Sequence, residues 1–409
     1  MAWGTAARAL WVYEVVARKC LMTAVILQAD QTVRTVLGSS MPAVADEART
    51  VLPLFDGQRL RLAREHLGVT QRGLADAMAG RLTPAALSQF EKGDAKPSPG
   101  TLAELAAATG LPVRFFARDP AVDDVGSVEG FFRSLRSTGV RHRRQHRAQA
   151  ELVRLVTMAL ERYVKLPKHD VPRIPMRPGS SRTEVEAAAA QVRAEWNLPK
   201  GPVTHVIRCI ERHGVVVCRM LLQSGTVDAF SVPFTDRPVI VLGRDKDRAD
   251  RSRWDCSHEL GHLVMHQPDP VRSRYLEDQA NWFAAEFLLP FREVAGQLPA
   301  TADWDTLAEL KITWGVSMAA LLRRARTLGV MPEGAYVQAL KTMSTRGWNR
   351  REPIRLARVE MPVMLARAIQ LLNQSGTSVG QLANEAGLPS ALATEIIGAS
   401  TDPRPEVLV

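Results

Sequence analysis

The string His258-Glu259-Leu260-Gly261-His262 constrains this chain more than any other feature. Two histidines four apart lie on one face of a helix, about 6 Å along its axis, so both imidazoles can reach one ion. The intervening Glu259 projects beside them and can act on water at that ion. Leu260, Leu263 and Val264 keep such a helix half buried. Strings of this kind also arise by chance, so a third ligand decides between a metal centre and an ordinary core helix.

The segment EDQANWFAAEFLLP, 277–290, reads as a second helix on which Glu277, Ala280, Asn281, Ala284 and Leu288 share one face. The two alanines permit close approach to the first helix, which brings the Glu277 carboxylate within reach of the ion. Glu286 lies roughly 180° around from Glu277 and points away, and Asp278, roughly 100° off, is the alternative ligand. His266 sits about 12 Å along the axis from His258, too far to share the ion, and is expected to pack or to support the site. Cys256 lies about 200° around from His258 and reads as a small core residue.

At 409 residues the chain suits two or three domains. Its net charge of +10 makes nucleic acid a plausible partner. The four cysteines are too few for a disulfide framework, which points to reduced thiols and a cytoplasmic protein. Residues 11–27 are apolar in patches, but Glu14, Arg18 and Lys19 interrupt them, so no membrane span is expected where about 20 uncharged residues are needed. No small-residue cleavage site follows either, and residues 1–54 are expected to be a disordered extension, with Met22 and Met41 as alternative starts.

Structure signals begin at Phe55. A helix over Gln58–Leu67 ends at Gly68. Thr70 caps a second from Gln71, Thr83 with Pro84 opens a third, and Ser98-Pro99 opens a fourth that Gly110 closes. Leu87 and Phe90 form the core face of the third helix, leaving Ala85, Ala86, Ser88 and Gln89 outward and small enough for a major groove. Gln89 is the base-reading candidate, because an amide pairs bidentately with adenine. Gln71, at a helix N-terminus, is placed to hold a phosphate. With Arg72 and Thr83 these residues make up the expected DNA-facing set, on a double-stranded operator with a homodimer as one arrangement; the alternative from pattern alone is a helical bundle that touches no DNA. The arginine run 133–147 reads either as added phosphate contacts or as the solvated face of a linker helix.

Further on, a helix is expected over Gln149–Val164, a proline-rich linker over 166–181, and a helix from Glu184 opened by a Thr183/Glu186 capping box. Val215–Val217, Asp228–Val232 and Pro238–Leu242 read as short strands. Helix follows to Ile397, including shapes at 304–328 and 362–397 that are expected to pack rather than touch DNA. The domains expected are therefore 55–118, a linker 119–182, a site domain 183–300 and a helical region 301–409.

Residues 58–116, with VTQRGLADAM, TPAALSQFEKG and PSPGTLAELAAATGLP, resemble the Cro/CI (XRE) helix-turn-helix family; Arg81-Leu82 replaces the usual small turn residues. HELGHLVMH with ExxANxFAxEFLxP, flanked by VDAFS, RPVIVL, SMAALLRRARTLGV and GWNRREP, resembles the ImmA/IrrE family of metallopeptidase-like proteins. Together the two resemblances imply a multidomain chain: an all-α helix-turn-helix domain, an α+β zincin-like metallopeptidase domain and a helical C-terminal part. The second implies that His258, His262 and Glu277 hold zinc, with manganese as a second candidate, and that Glu259 is the general base. Relatives in that family cut helix-turn-helix repressors. The expected function is a DNA-binding regulator fused to a metallo-endopeptidase that cleaves a repressor or itself. The alternative is a transcription factor whose zincin-like domain senses or docks without turnover. The strand at Val239–Leu242 is expected to hold the substrate by strand addition.

Overall fold

A computed structural model describes residues 44–118, 140–222, 227–244, 248–266, 274–356, 358–374 and 376–398. They divide into two compact units, with the boundary between Asp123 and Asp124 and with Gly387–Pro389 grouped with the first. Among the described residues no helix is long and apolar enough to cross a membrane.

The first unit is helical: α1 (Gly57–His66), α2 (Gln71–Ala77), α3 (Pro84–Lys92) and α4 (Pro99–Thr109). Each begins where a side chain satisfies an orphan N–H. Asp56 accepts from Gln58 N at 2.8 Å, Thr70 from Gly73 N at 3.0 Å, Thr83 from Ala86 N at 3.1 Å and Ser98 from Thr101 N at 3.1 Å. Leu60, Leu74, Leu87, Leu102 and Phe116 are fully buried between them. Gly57 is required by packing, since a Cβ there would stand 2.1 Å from the Phe90 carbonyl oxygen, where α1 meets the end of α3. The unit begins before Phe55. Residues 44–51 are helical, Ala48 and Val51 are buried, and Arg118 N donates to Leu54 O at 2.7 Å, so the expected extension 1–54 gives way to folded chain at its far end. Residues 1–43 lie outside the described ones.

The second unit has a three-stranded sheet in the order β1-β3-β2, with β1 Val216–Met220, β2 Ala229–Val232 and β3 Val239–Gly243. β3 is central, parallel to β1 and antiparallel to β2. It is paired on both sides, so the expected strand addition at Val239–Leu242 has no open backbone to use; β2 is the edge strand nearer the site. Strand alternation sends Phe230 and Ser231 to opposite faces.

On the Phe230 face lies α5 (Val140–Glu161), whose His146 ring stacks on Phe230 at 5.1 Å. The described part of the arginine run is the first two turns of this helix, where Gln145 and His146 are buried; residues 133–139 of the run lie outside the described ones. Arg154 binds Asp236 at 2.8 Å. The expected linker 119–182 is therefore, from residue 140, a layer of the second unit.

On the Ser231 face lie α6 (Arg182–Glu195), α7 (Val206–Arg212), α8 (Ala249–Met265) and α9 (Arg274–Leu288). The cap of α6 is Ser181, in a reciprocal capping box with Glu184, and not Thr183. Glu186 instead binds the buried Arg324 at 2.6 Å. The proline-rich stretch before it is tied down: Ile174 N donates to Val264 O and Met176 N to Met265 O, each at 2.9 Å, which satisfies carbonyls at the end of α8.

The core does not stop at residue 300. Leu307, Trp314, Leu321, Leu322, Ala339 and Met343, on α10 (Trp304–Trp314), α11 (Met318–Thr327) and α12 (Glu333–Thr345), join the same apolar cluster as Leu260 and Phe287. Acidic side chains from the later chain lock it to α8. Glu352 accepts from Lys311 at 2.6 Å, and Lys311 also reaches Asp250 at 3.0 Å. Glu360 pairs with Arg253, takes His205 Nδ1 at 3.1 Å and accepts from Ile207 N at 2.9 Å. Glu211 accepts from Val363 N and Met364 N, at the start of α13 (Met364–Gln374), at 3.0 Å each.

Candidate metal centre and nucleic-acid interface

His258 and His262 stand on consecutive turns of α8 with their Nε2 atoms 3.1 Å apart. Across from them on α9, Glu277 places Oε2 3.4 Å from His258 Nε2 and Oε1 3.7 Å from His262 Nε2. The helices come this close because α8 offers Gly261 and α9 offers Ala280 and Ala284, both fully buried. A Cβ on Gly261 would meet Phe283 at 3.0–3.1 Å. Asn281 then fixes the α9 backbone, donating to Glu277 O at 2.8 Å while accepting from Trp254 Nε1 at 3.3 Å.

The donor set fits a small divalent cation. Donors about 2.05 Å from a tetrahedral ion stand about 3.3 Å apart; the two imidazole nitrogens are 3.1 Å apart, and the Glu277 carboxylate has one oxygen 3.4 Å from the first and its other oxygen 3.7 Å from the second. Glu277 Oε1 is buried with no hydrogen-bond donor, which suits an oxygen that faces a cation. Two imidazoles and one carboxylate are the borderline ligands that zinc prefers. Among the described residues, His258, His262 and Glu277 are the group of three whose ligand atoms all lie within 4.8 Å of one another. Asp278 is not in it. Glu286 points away, accepting from Phe291 N at 3.2 Å and pairing with Arg324.

Glu259 is 2 % exposed and stays off the cluster. Its Oε2 accepts from Ser231 Oγ at 2.6 Å, across from β2. Burial pushes its carboxyl up to about 7, against the pull of His258 and of the Ser231 hydroxyl. For His258, burial disfavours the charge, but the bond to Glu277 and the nearby carboxylates of Glu259, Glu277 and Asp255 outweigh it and raise the pKa. Burial likewise lifts Asp255 to about 6. Cys256 is fully buried, and desolvation raises its thiol far above the ordinary range, as befits a core residue.

Behind the cluster, His262 Nδ1 and His266 Nδ1 are 2.8 Å apart, and His266 Nε2 lies 3.0 Å from Gln279 Oε1. His266 thus lies where it supports the cluster, as its spacing allowed, whereas Ser231 and Gln279 are neighbours of the site that spacing did not connect to it. Ser231 is the one with a usable signal, a small hydroxyl in a strand otherwise made of Ala229, Phe230 and Val232.

In the first unit, Gln89 and Ala85 on α3 are exposed, as is Thr83, and Ala86 and Ser88 are half-buried on the same helix. Arg72 on α2 is exposed. Gln71 departs from the expectation: its Nε2 donates to Glu91 Oε2 at 2.9 Å, while Arg64 Nη2 donates to the same oxygen at 2.9 Å. A buried carboxylate needs all the donors it can recruit, so Gln71 joins α2 to the α1–α3 ion pair and its amide nitrogen is committed. The unusual turn residues are anchored too. Leu82 is buried and Arg81 binds Glu104 on α4 at 2.9 Å.

No curated protein matches the chain. Two family models do: a helix-turn-helix family over residues 60–116 and the IrrE N-terminal-like domain over residues 210–326. The second match spans β1 to α11 and so includes the whole His-His-Glu cluster and the helices past residue 300. The chain thus carries a helix-turn-helix region of the Cro/CI (XRE) type followed by an IrrE/ImmA-like domain of the metallopeptidase kind.

Proposed function

We propose that this chain is an operator-binding regulator whose IrrE-like domain is a zincin-like, metal-dependent endopeptidase that cleaves a helix-turn-helix repressor or the chain itself. The observation that carries the reading is the carboxylate of Glu259. It stands beside a His-His-Glu cluster without joining it and is held by Ser231 at 2.6 Å. A carboxylate beside the metal-binding residues but not among them can accept a proton from water and return it to a leaving amine, as peptide hydrolysis requires.

His258, His262 and Glu277 would hold the ion, zinc or manganese, which when bound supplies Lewis acidity toward water and the scissile carbonyl. Glu259 takes the proton of the attacking water and delivers it to the leaving amine. Ser231, donating to one oxygen of Glu259, leaves the other to meet that water. The edge strand β2, which carries Ser231 and is the edge nearer the cluster, would pair with an extended substrate chain. In the first unit, α3 would enter the major groove with Gln89 on base edges, in a homodimer on an inverted repeat.

Glu259→Gln tests this reading. It keeps shape and the ligand cluster, so zinc content and operator binding should be unchanged while cleavage of a co-purified repressor falls by about 10²–10⁴. A target promoter that responds normally in cells carrying Glu259→Gln with zinc retained would replace proteolysis with the sensor reading.

A further inference from the structure

With His262 and His266 both neutral, the hydrogen bonds behind the cluster admit one set of protons. Gln279 faces the Arg177 carbonyl oxygen at 2.7 Å, and a carbonyl only accepts, so the Gln279 atom there is Nε2. Its Oε1 is therefore turned to His266 Nε2 at 3.0 Å, and that nitrogen must carry the hydrogen. A flipped amide would press two bare oxygens together across 2.7 Å. A neutral His266 with hydrogen on Nε2 has a bare Nδ1, and bare Nδ1 can only accept. Its neighbour at 2.8 Å is His262 Nδ1, which must then be the donor. His262, neutral in turn, is left with an unprotonated Nε2. That atom faces His258 Nε2 at 3.1 Å and Glu277 Oε1 at 3.7 Å, inside the cluster.

We propose that His266 and Gln279 are positioning residues: the relay Arg177 O, Gln279, His266, His262 fixes the tautomer and ring plane of His262 and presents its Nε2 lone pair to a cation before any cation arrives. An isolated neutral imidazole carries its hydrogen on Nε2 or Nδ1 with little preference, so binding through Nε2 otherwise includes the work of choosing the tautomer and the rotamer. Both rings are 2 % exposed, and the groups 2.8 and 3.0 Å from their nitrogens come from the protein itself. The relay also links the site to the proline-rich segment 166–181, since Arg177 lies in it, next to the residues that cap the end of α8. The proposal rests on the metal-binding reading of the cluster, but its first test does not need a metal.

That test is a long-range proton–nitrogen spectrum of the full-length, metal-free protein labelled at histidine, with His262→Ala assigning the signal. The expected result is His262 with hydrogen on Nδ1 and a bare Nε2; hydrogen on Nε2 overturns the proposal whether or not the protein binds zinc. The second measurement is zinc affinity by chelator competition, with cobalt absorption as the reporter of ligand geometry. His266→Leu, which removes the acceptor, should weaken zinc by about 10–100-fold and shift the cobalt bands, whereas His266→Asn, with Oδ1 near the lost Nδ1, should stay within about threefold of wild type. Gln279→Leu should lie between them. Equal zinc affinity in wild type, His266→Leu and His266→Asn overturns the positioning role. If His266→Leu fails to fold, the wild-type spectrum and the Gln279→Leu and His266→Asn affinities still decide. A wild-type protein that takes up no zinc, yet shows the Nδ1 tautomer, retires the metal reading and keeps the relay.

Discussion

Glu360 is the residue whose removal should reveal most about how α8 is held. Its carboxylate is pushed down from 4.5 to about 2: burial works against the charge, but His205, Arg253 and the Ile207 N–H outweigh it. A displacement of that size is on the order of 3 kcal/mol of folded-state stability at neutral pH. Removing one partner of a buried ion pair independently suggests about 3–5 kcal/mol, because Arg253, 6 % exposed, would keep its charge with only the Val203 and Thr204 carbonyls to receive it. Glu360→Gln keeps the volume and an acceptor for Ile207 N, so the charge is what changes. The sign follows from a depressed folded-state pKa. The stabilisation is complete above 4.5 and is lost as pH falls through about 2. Wild type and Glu360→Gln should therefore differ by about 3 kcal/mol at neutral pH, by about 1 kcal/mol near pH 3, and converge below that. Urea titration followed by tryptophan fluorescence measures it: Trp196, Trp254, Trp282, Trp304, Trp314 and Trp348 lie in the second unit, residues 44–118 contain none, and Trp3→Phe with Trp11→Phe removes the other two from the signal. A gap between the two proteins that is the same at pH 3 as at neutral pH would refute the ion-pair argument.

Three further outcomes are expected. His258→Ala, His262→Ala and Glu277→Ala should each lose most bound zinc by elemental analysis, while Asp278→Ala keeps it; the reverse result for Glu277 and Asp278 would move the third ligand. Gln89→Ala should cost about 1–3 kcal/mol on the cognate operator and little on random DNA in a binding titration, whereas equal losses on both would remove its base-reading role. Gly261→Ala forces Phe283 outward from 3.0–3.1 Å, so α8 and α9 should part slightly, with a stability loss of about 1–3 kcal/mol by urea titration and weaker zinc binding; unchanged zinc affinity would show that the helices have slack.

The parts of the site that follow helical arithmetic were legible from residue spacing. His258 and His262 on one face, Glu277 on the same face of its helix as two alanines, and Glu286 turned away are all consequences of 3.6 residues per turn, and α8 and α9 are long enough to obey it. What sequence spacing could not carry was pairing between distant segments. Gln71 looked open to a phosphate until Glu91, on another helix, claimed its amide. His266 and Gln279 make sense only once α8 and α9 are side by side. The proline-rich stretch resembled a linker because Pro172, Pro175 and Pro178 carry no N–H, yet Ile174 and Met176, between them, have theirs pointed at helix carbonyls. The start of α5 was hidden for the opposite reason: arginines mask an amphipathic period even where Gln145 and His146 are buried. The boundary expected at 300 failed because a run of helices carries no sign of which core it joins.

The pairing of Glu360 with Arg253 also sets a timetable. A ribosome emits the helix of the two histidines long before it emits the glutamate that neutralises the arginine two turns upstream on that helix. Until then Arg253 is a charge without its anion, and Glu211 has no Val363 or Met364 to cap. The emerging chain passes the whole helix-turn-helix region and every ligand residue through the exit tunnel before this clasp can close. A site closed in this order is clasped only after the helix-turn-helix region has been made.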